Sequence, residues 1–273
     1  MQKFKLIYKL NEITKTKDLS KSEFDAFRFH IQNLCELRDI LFRTTNFTYA
    51  EQYFNKNKDL KKINSEIELY NFILSTVAII RMNIDSWSFY IQRNYQNNKL
   101  FFPASTKKSI FDEKCSYYYD NFESYAIVSN LRNLALHSGK VYSLFEFTKD
   151  DFKVVLQIKD FDDFNFSKSF KDILSKHRED YRIDIISCLN DNFKYLHELN
   201  NYIYKELFNY NYNKYVKACR FFKDNINSEL DSPAIIWDNE ELDLNSLNRV
   251  SIEYIPIDFM QQIYEEKILD NIQ

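Results

Sequence analysis

Apolar residues recur every three or four positions over most of the chain, which is the spacing of one face of an α-helix. The longest run extends from Ile63 to Tyr95. A helix from about residue 20 to 43 is also expected, because Ser20 and Glu23 stand at the two positions of a capping box. A second helical part follows from about residue 166 to 224. The pattern therefore predicts a mainly α fold.

After the middle of the chain, apolar residues recur at every second position instead of every third or fourth. Residues 152–158 alternate as a β-strand does, and residues 141–147 are a weaker strand candidate, so a β-hairpin is predicted over about 141–159. Before it, a helix is predicted from about Ser105 to Ser138. Gly139, the only glycine of the chain, would end this helix because glycine adopts the left-handed backbone conformation without strain.

The charge balance suggests two regions, an α-helical domain of residues 1–228 and an acidic C-terminal segment of residues 229–273. The segment contains 11 acidic and two basic residues, a net charge of −9, whereas the preceding residues have a net charge of +6. A mildly basic domain suits contact with phosphates, although ordinary solubility explains the same charges equally well. The segment is expected to be an appendage that contains strand-like pieces such as Val250–Ile257.

Composition excludes several classes of function. A dinucleotide-binding fingerprint or a Walker A loop needs more than one glycine, and this chain has one. The four cysteines, Cys35, Cys115, Cys188 and Cys219, are too widely spaced for a zinc framework and predict reduced thiols. No signal peptide and no apolar stretch of about 20 residues is evident, so a soluble, cytoplasmic protein without membrane contact is expected.

The residues that carry the most chemistry are Arg132, Asn133 and His137, at the end of the predicted helix. RNA provides its own nucleophile, the 2′-hydroxyl, so a protein that cleaves it needs a group that moves protons and a group that stabilises charge on phosphorus. Histidine titrates near neutral pH, and the planar guanidinium of arginine fits phosphate oxygens. The asparagine amide can hold the histidine or a ribose oxygen. No metal or other cofactor is required.

The helical geometry of this motif favours a dimer. Asn133 and His137 are four residues apart and lie on one side of a helix, whereas the directions of Arg132 and His137 differ by about 140°. One copy therefore has difficulty in aiming both side chains at one phosphate. Two copies that face each other across a two-fold axis can do so. His137 also lies in the last helical turn, where the helix dipole favours its protonated form.

The sequence from Arg132 to His137 resembles the Arg-Asn-x-x-x-His motif of the HEPN superfamily, and the resemblance covers about 35 residues around one helix. It implies a HEPN-type helical bundle, a homodimer with the motif helices facing, and metal-independent endoribonuclease activity with Arg132, Asn133 and His137 as catalytic residues. The products would be a 2′,3′-cyclic phosphate and a 5′-hydroxyl. Such proteins act in defence, as toxins or abortive-infection effectors, and in RNA processing, so RNA and an antitoxin or sensor are the implied partners.

One departure from a related pattern concerns regulation. HEPN toxins that are paired with a minimal nucleotidyltransferase carry tyrosine two positions after the histidine, where this chain has Gly139. Control by modification of that tyrosine is therefore not expected. The acidic segment gives a different hypothesis, in which residues 229–273 cover the basic domain and restrict the access of RNA.

Other interpretations remain open. The chain could be a noncatalytic helical scaffold or an inactive HEPN-like module, in which Arg132 pairs with an acid and His137 caps the helix. A metal-dependent nuclease is disfavoured because its candidate carboxylates occur as adjacent pairs, which point apart. Asp85 either forms a simple helical ion pair with Arg81 or supplies a carboxylate to the motif from a neighbouring helix. The remaining histidines are expected to be structural or exposed: His30, His177 and His197.

Overall fold

The computed structural model describes residues 3–10, 13–59, 65–97, 108–137, 145–148, 153–157, 168–177, 182–226, 231–238 and 251–269. Their helices are α1 Lys21–Asn57, α2 Glu66–Asn97, α3 Lys108–Asn121, α4 Glu123–His137, α5 Lys168–Lys176, α6 Ile185–Asn225 and α7 Ile257–Glu265. Their strands are β1 Lys3–Leu10, β2 Ile13–Leu19, β3 Phe145–Thr148, β4 Lys153–Gln157, β5 Arg182–Asp184, β6 Asp231–Asp238 and β7 Ser251–Tyr254. The prediction of a mainly α fold is confirmed.

The chain divides into two compact units. Unit 1 consists of Met1–Leu41 and Phe208–Gln273, and unit 2 consists of Phe42–Leu207. This division differs from the expected boundary between residues 228 and 229, because residues of the acidic segment belong to a sheet of unit 1. Strand β6 pairs with β1 at the other end of the chain. Local periodicity cannot reveal a strand pairing over such a distance in sequence.

Unit 1 contains a four-stranded antiparallel sheet in the order β2-β1-β6-β7. Alternate residues of β1 are buried, and Leu6 lies opposite Ile235 of β6. The N-terminal part of α1 covers this sheet through Phe24, whose ring stacks on Phe4 at 4.3 Å and meets the edge of Trp237 at 5.2 Å. The apolar contacts of these two strands with one helix form part of the core of unit 1, to which α6 and α7 add buried residues such as Phe222 and Ile263.

The capping box predicted at the start of α1 is confirmed. The Glu23 carboxylate accepts a hydrogen bond from the Ser20 backbone N–H at 2.7 Å, and the Ser20 hydroxyl accepts one from the Glu23 N–H at 3.2 Å. These reciprocal bonds satisfy two backbone donors that have no partner within the helix. The bonds to Ser20 also lower the pKa of Glu23, because they stabilise its ionised form.

Unit 2 is built mainly from helices, with the small sheet β3-β4-β5 beside them. The predicted hairpin is present as β3 and β4, which pair antiparallel from Phe145 opposite Leu156 to Thr148 opposite Lys153. Strand β5 was not predicted. Helix α2 passes through the core, where Trp87 is fully buried and its indole N–H donates to the Asn200 amide oxygen of α6 at 2.5 Å.

The helix predicted from Ser105 to Ser138 is instead two helices, α3 and α4, which are separated at Phe122. The Asn121 side chain donates to the Tyr117 carbonyl at 2.8 Å. The Phe122 backbone N–H still donates to the Tyr118 carbonyl at 3.0 Å at the end of α3. The carbonyl of Phe122 then accepts from Tyr125 and Ala126 as α4 begins.

One described segment, Glu66–Arg93 of α2, is long and apolar enough to cross a membrane by length and composition alone. The sequence analysis expected no such segment. The charged residues Arg81 and Asp85 lie near its middle, and Ile73, Trp87 and Ile91 are fully buried within the protein. Core helices of soluble proteins pass the same test, and we interpret α2 as a core helix.

Candidate functional site

Helix α4 carries the predicted motif in its C-terminal half. The described part of this helix extends to His137, and the predicted end of the helix at Gly139 lies outside the described residues. Arg132 is half-buried and Asn133 is exposed. The structure describes the backbone of His137 but not its side chain. The motif is therefore on a regular helix, with its first two residues at the surface of unit 2.

Polar contacts from two other helices hold the start of α4. The amide of Asn192, which is buried on α6, donates to the Ser124 carbonyl at 2.7 Å and to the Cys188 carbonyl at 2.9 Å. His177, after the end of α5, contacts the Glu123 carboxylate. This contact connects the residue after α5 to the first residue of α4.

A third contact holds the middle of α4. Asn130 is buried, and its amide donates to the Tyr119 hydroxyl of α3 at 2.9 Å and to the Ala126 carbonyl at 2.8 Å. The apolar face of α4 is also buried, at Tyr125, Ala126, Ile127, Val128 and Leu131. Because both its apolar face and its polar contacts are fixed, α4 presents Arg132 from a rigid support.

Arg132 meets two groups. Its Nη1 donates to the Asn133 amide oxygen at 3.1 Å, and its Nη2 lies 3.8 Å from Oδ2 of Asp85 on α2. The other oxygen of Asp85 lies 3.1 Å from Nε of Arg81, one turn earlier on the same helix. Asp85 therefore takes both of the roles weighed from the sequence, because it pairs within α2 and also reaches the motif from the neighbouring helix.

These charged side chains are partly exposed, with exposed fractions of 37% for Arg81, 42% for Asp85 and 34% for Arg132. Water therefore screens their interactions, and a bound anion can reach them. Two arginines against one carboxylate give this cluster a net charge of +1. The arrangement suits the binding of a phosphate group.

The groups beside the cluster remain protonated at neutral pH. Burial raises the pKa of the Cys115 thiol to about 11, and nearby Arg81 opposes this shift only in part. Burial also raises the pKa of the adjacent Tyr125 hydroxyl. Neither residue has the depressed pKa that an activated nucleophile requires.

The other two histidines have their own surroundings. The ring of His30, in unit 1, stacks on Phe221 at 4.3 Å, and burial lowers its pKa. His197, on the part of α6 in unit 2, is exposed. These environments agree with the structural or exposed roles that the sequence analysis assigned to them.

Sequence reasoning missed two features near Arg132. It considered Arg81 only as the ion-pair partner of Asp85. Residues that are four apart on a helix lie on the same face, so Arg81 shares the face of Asp85. Sequence reasoning also did not consider Met82 and Phe89, which are 68% and 75% exposed on the face that carries Asp85. Their positions three residues before and four residues after Asp85 were the signal that could have identified this face.

Comparisons of the chain with protein-family models, with curated proteins and with solved structures found no significant match.

Proposed function

We propose that this protein is a metal-independent endoribonuclease of the HEPN type, a cytoplasmic effector of defence, abortive infection or toxin action. The observation that carries the proposal is the motif on α4, with Arg132 and Asn133 hydrogen-bonded at the surface and His137 on the same helix. The mainly helical unit 2 is compatible with the HEPN-type bundle that the motif implies. An antitoxin or sensor would restrain or trigger the enzyme.

Cleavage in this proposal is an internal transfer at phosphorus. The 2′-hydroxyl oxygen forms a bond to the adjacent phosphorus, the bond to the 5′-oxygen breaks, and a 2′,3′-cyclic phosphate results. One proton leaves the 2′-oxygen and one is delivered to the 5′-oxygen, so no net proton is consumed. His137 moves protons, Arg132 stabilises the charge on phosphorus, and Asn133 positions the Arg132 side chain through their hydrogen bond.

The experiment compares purified wild type, His137→Ala and Arg132→Lys on total RNA in EDTA. We expect cleavage with cyclic-phosphate ends by the wild type, and a loss of about 100-fold or more in His137→Ala. Arg132→Lys should also be impaired, because lysine keeps the charge but loses the planar fork. His197→Ala is the matched control, since it removes an exposed histidine of the same unit. Equal RNA cleavage by wild type and His137→Ala would exclude the proposal.

A homodimer with facing motif helices is part of the proposal. The 140° difference between Arg132 and His137 supports it, and so do the exposed apolar side chains of Met82 and Phe89 beside Asp85. Met82→Glu with Phe89→Glu should convert a dimer to a monomer in analytical ultracentrifugation and reduce cleavage. Ile13→Glu, at an exposed apolar residue of unit 1, is the control.

A noncatalytic interaction protein is the second candidate. The observation in its favour is a groove of about 470 Å³ in unit 2 between α1 and α2, lined by apolar side chains that include Phe42, Ile79 and Met82. In this role, Arg132 and His137 could be replaced without loss of function. A double variant of Arg132 and His137 that binds a partner as the wild type does, together with a wild type that leaves RNA intact, would favour this candidate over the ribonuclease.

A further inference from the structure

The contacts of Asp85 link two arginines from different helices. Its Oδ1 lies 3.1 Å from Arg81 Nε and its Oδ2 lies 3.8 Å from Arg132 Nη2. Both guanidinium groups therefore approach the same small anionic group. The separation of the two carboxylate oxygens is close to that of the two nonbridging oxygens of a phosphodiester. The geometry that holds the carboxylate thus also suits a phosphate.

We propose that Arg81 is a second phosphate-binding residue of the site, and that Asp85 occupies the position which a phosphodiester of RNA takes on binding. This inference rests on the proposed ribonuclease function and extends it, because the HEPN motif does not include a residue of α2. Arg132 contacts the reacting phosphate, and Arg81 holds that phosphate or an adjacent one in place. Displaced Asp85 turns towards water.

The energies of the contacts make such an exchange feasible. Ion pairs between partly exposed side chains contribute little to stability, and the 3.8 Å separation of Arg132 and Asp85 is too long for a direct hydrogen bond. Asp85 and Arg132 are both more than 30% exposed, so the carboxylate can move into solvent without the cost of burying a charge. A phosphate that meets both arginines gains two charge-assisted contacts in return.

Two other roles for the pair make different predictions. If Arg81 and Asp85 only stabilise α2 as an i,i+4 pair, their replacement should leave RNA affinity unchanged. If Asp85 holds Arg132 in its catalytic orientation, Asp85→Asn should lower kcat. In the present proposal, loss of Arg81 weakens RNA binding whereas loss of the Asp85 charge strengthens it. The opposite signs of these two effects separate the three roles.

The binding experiment uses a fluorescent RNA oligonucleotide that is 2′-O-methylated throughout, so that it cannot be cleaved. Fluorescence anisotropy gives Kd as a function of salt concentration. We expect Arg81→Gln to weaken binding roughly tenfold and to reduce the salt dependence by about one counterion. Asp85→Asn should tighten binding about two- to fivefold, since a competing exposed ion pair is removed. Arg81→Lys should restore part of the affinity.

The pair Lys21 and Asp25 on α1 supplies matched controls. It is also an i,i+4 ion pair, at 2.8 Å, but it is more exposed and belongs to unit 1. Lys21→Gln and Asp25→Asn cause the same changes in net charge as Arg81→Gln and Asp85→Asn. Effects on Kd that exceed those of the controls are therefore due to position rather than total charge.

Cleavage kinetics with unmodified RNA complete the test. Arg81→Gln should raise KM with little change in kcat, and Asp85→Asn should lower KM. Effects on Kd that are equal to those of the controls, or a lower kcat in Asp85→Asn, would overturn the inference. If the wild type binds RNA through Arg81 but does not cleave it, the proposed function fails and the phosphate-binding role stands. Absence of RNA binding even at low salt would overturn both.

Discussion

Unit 1 is built around strands from opposite ends of the chain, whereas unit 2 is built mainly from helices that follow one another in sequence. In unit 1, β1 lies between β2 and β6, so residues 3–10 complete their sheet only with residues 231–238. In unit 2, the helices α2, α3 and α4 pack against each other within a single stretch of chain. Unit 1 therefore depends on pairing between strands that are far apart in sequence, whereas unit 2 depends on helices that are neighbours in sequence.

Two charged clusters, one in each unit, differ in their burial. Unit 1 contains the half-buried pair of Lys214 and Glu36, 2.7 Å apart, and burial lowers the pKa of Lys214. This pair joins α6 to α1 and has an evident packing role. In unit 2, the partly exposed charges of Arg81, Asp85 and Arg132 face solvent. All three of these residues belong to unit 2, so the proposed function predicts that unit 1 can be altered without loss of the site.

The largest expected effect is a loss of RNA cleavage that leaves stability unchanged. His137→Ala should reduce RNA cleavage by about 100-fold or more, because it removes the group that moves protons. Its urea unfolding midpoint should remain close to that of the wild type, since His137 lies at the end of α4. Activity and unfolding are measured on the same preparation. A large fall in stability would mean that His137 is structural, as a helix-capping role requires.

Truncation of one core isoleucine in each unit sharpens the comparison. Ile235 of β6 and Ile73 of α2 are both fully buried, so each change to alanine should lower the free energy of unfolding by about 2–5 kcal/mol. The two variants should differ in which elements show faster amide hydrogen exchange. Ile235→Ala should increase exchange in β1 because that strand pairs with β6, whereas Ile73→Ala should act on α2 and α4.

For these two variants, the informative result is which strands and helices lose protection from hydrogen exchange. If Ile235→Ala increases exchange in β6 but leaves β1 as protected as in the wild type, the two strands do not depend on each other. If Ile73→Ala affects both units equally, the division at Leu41 and Phe208 does not describe cooperative folding. Urea denaturation provides the overall change in stability for both proteins.

The parts of the fold that could be read from sequence are those with local signals. Ser20 and Glu23 predicted the start of α1, and alternation predicted β4, because both signals involve near neighbours. The pairing of β1 with β6 could not be predicted in this way, although Phe4 and Leu6 alternate with polar residues as a strand does. Which strand a sequence pairs with depends on the whole fold.

In the candidate site, too, the sequence indicates contacts within one helix but not contacts between helices. The spacing of Arg132, Asn133 and His137 was visible in the sequence, and so was the pairing of Arg81 with Asp85 on one helix. The proximity of Asp85 to Arg132 could only be a hypothesis, because it depends on how α2 packs against α4. The exposure of Phe89 depends on the same packing, since an apolar residue at helical spacing is more often part of a core.

A loss of stability of intermediate size is expected when the buried side-chain amide of Asn200 in unit 2 is replaced. Asn200 accepts the Trp87 indole N–H and donates to the Asn83 amide oxygen at 2.8 Å. Asn200→Leu leaves a buried indole donor without its partner, and should destabilise the protein by about 1–3 kcal/mol. Trp87→Phe in the Asn200→Leu background removes the orphaned donor. A double-mutant cycle should therefore show coupling, and strictly additive effects would contradict the structural role of this bond.

The smallest expected effect concerns the capping box at the start of α1, in the part that belongs to unit 1. Ser20→Ala removes the hydroxyl that accepts from Glu23, and should lower stability by about 0.5–2 kcal/mol, whereas Ser20→Asp should be close to neutral. The pKa of Glu23 is lowered in the folded protein, so its contribution is present above its unfolded pKa and is lost as the pH falls through the folded value. The difference between wild type and Ser20→Ala in urea denaturation should therefore be smaller in acid than at pH 7. A difference that does not change with pH would mean that the hydrogen bond from the Ser20 hydroxyl to the Glu23 carboxylate, at 2.7 Å, contributes nothing.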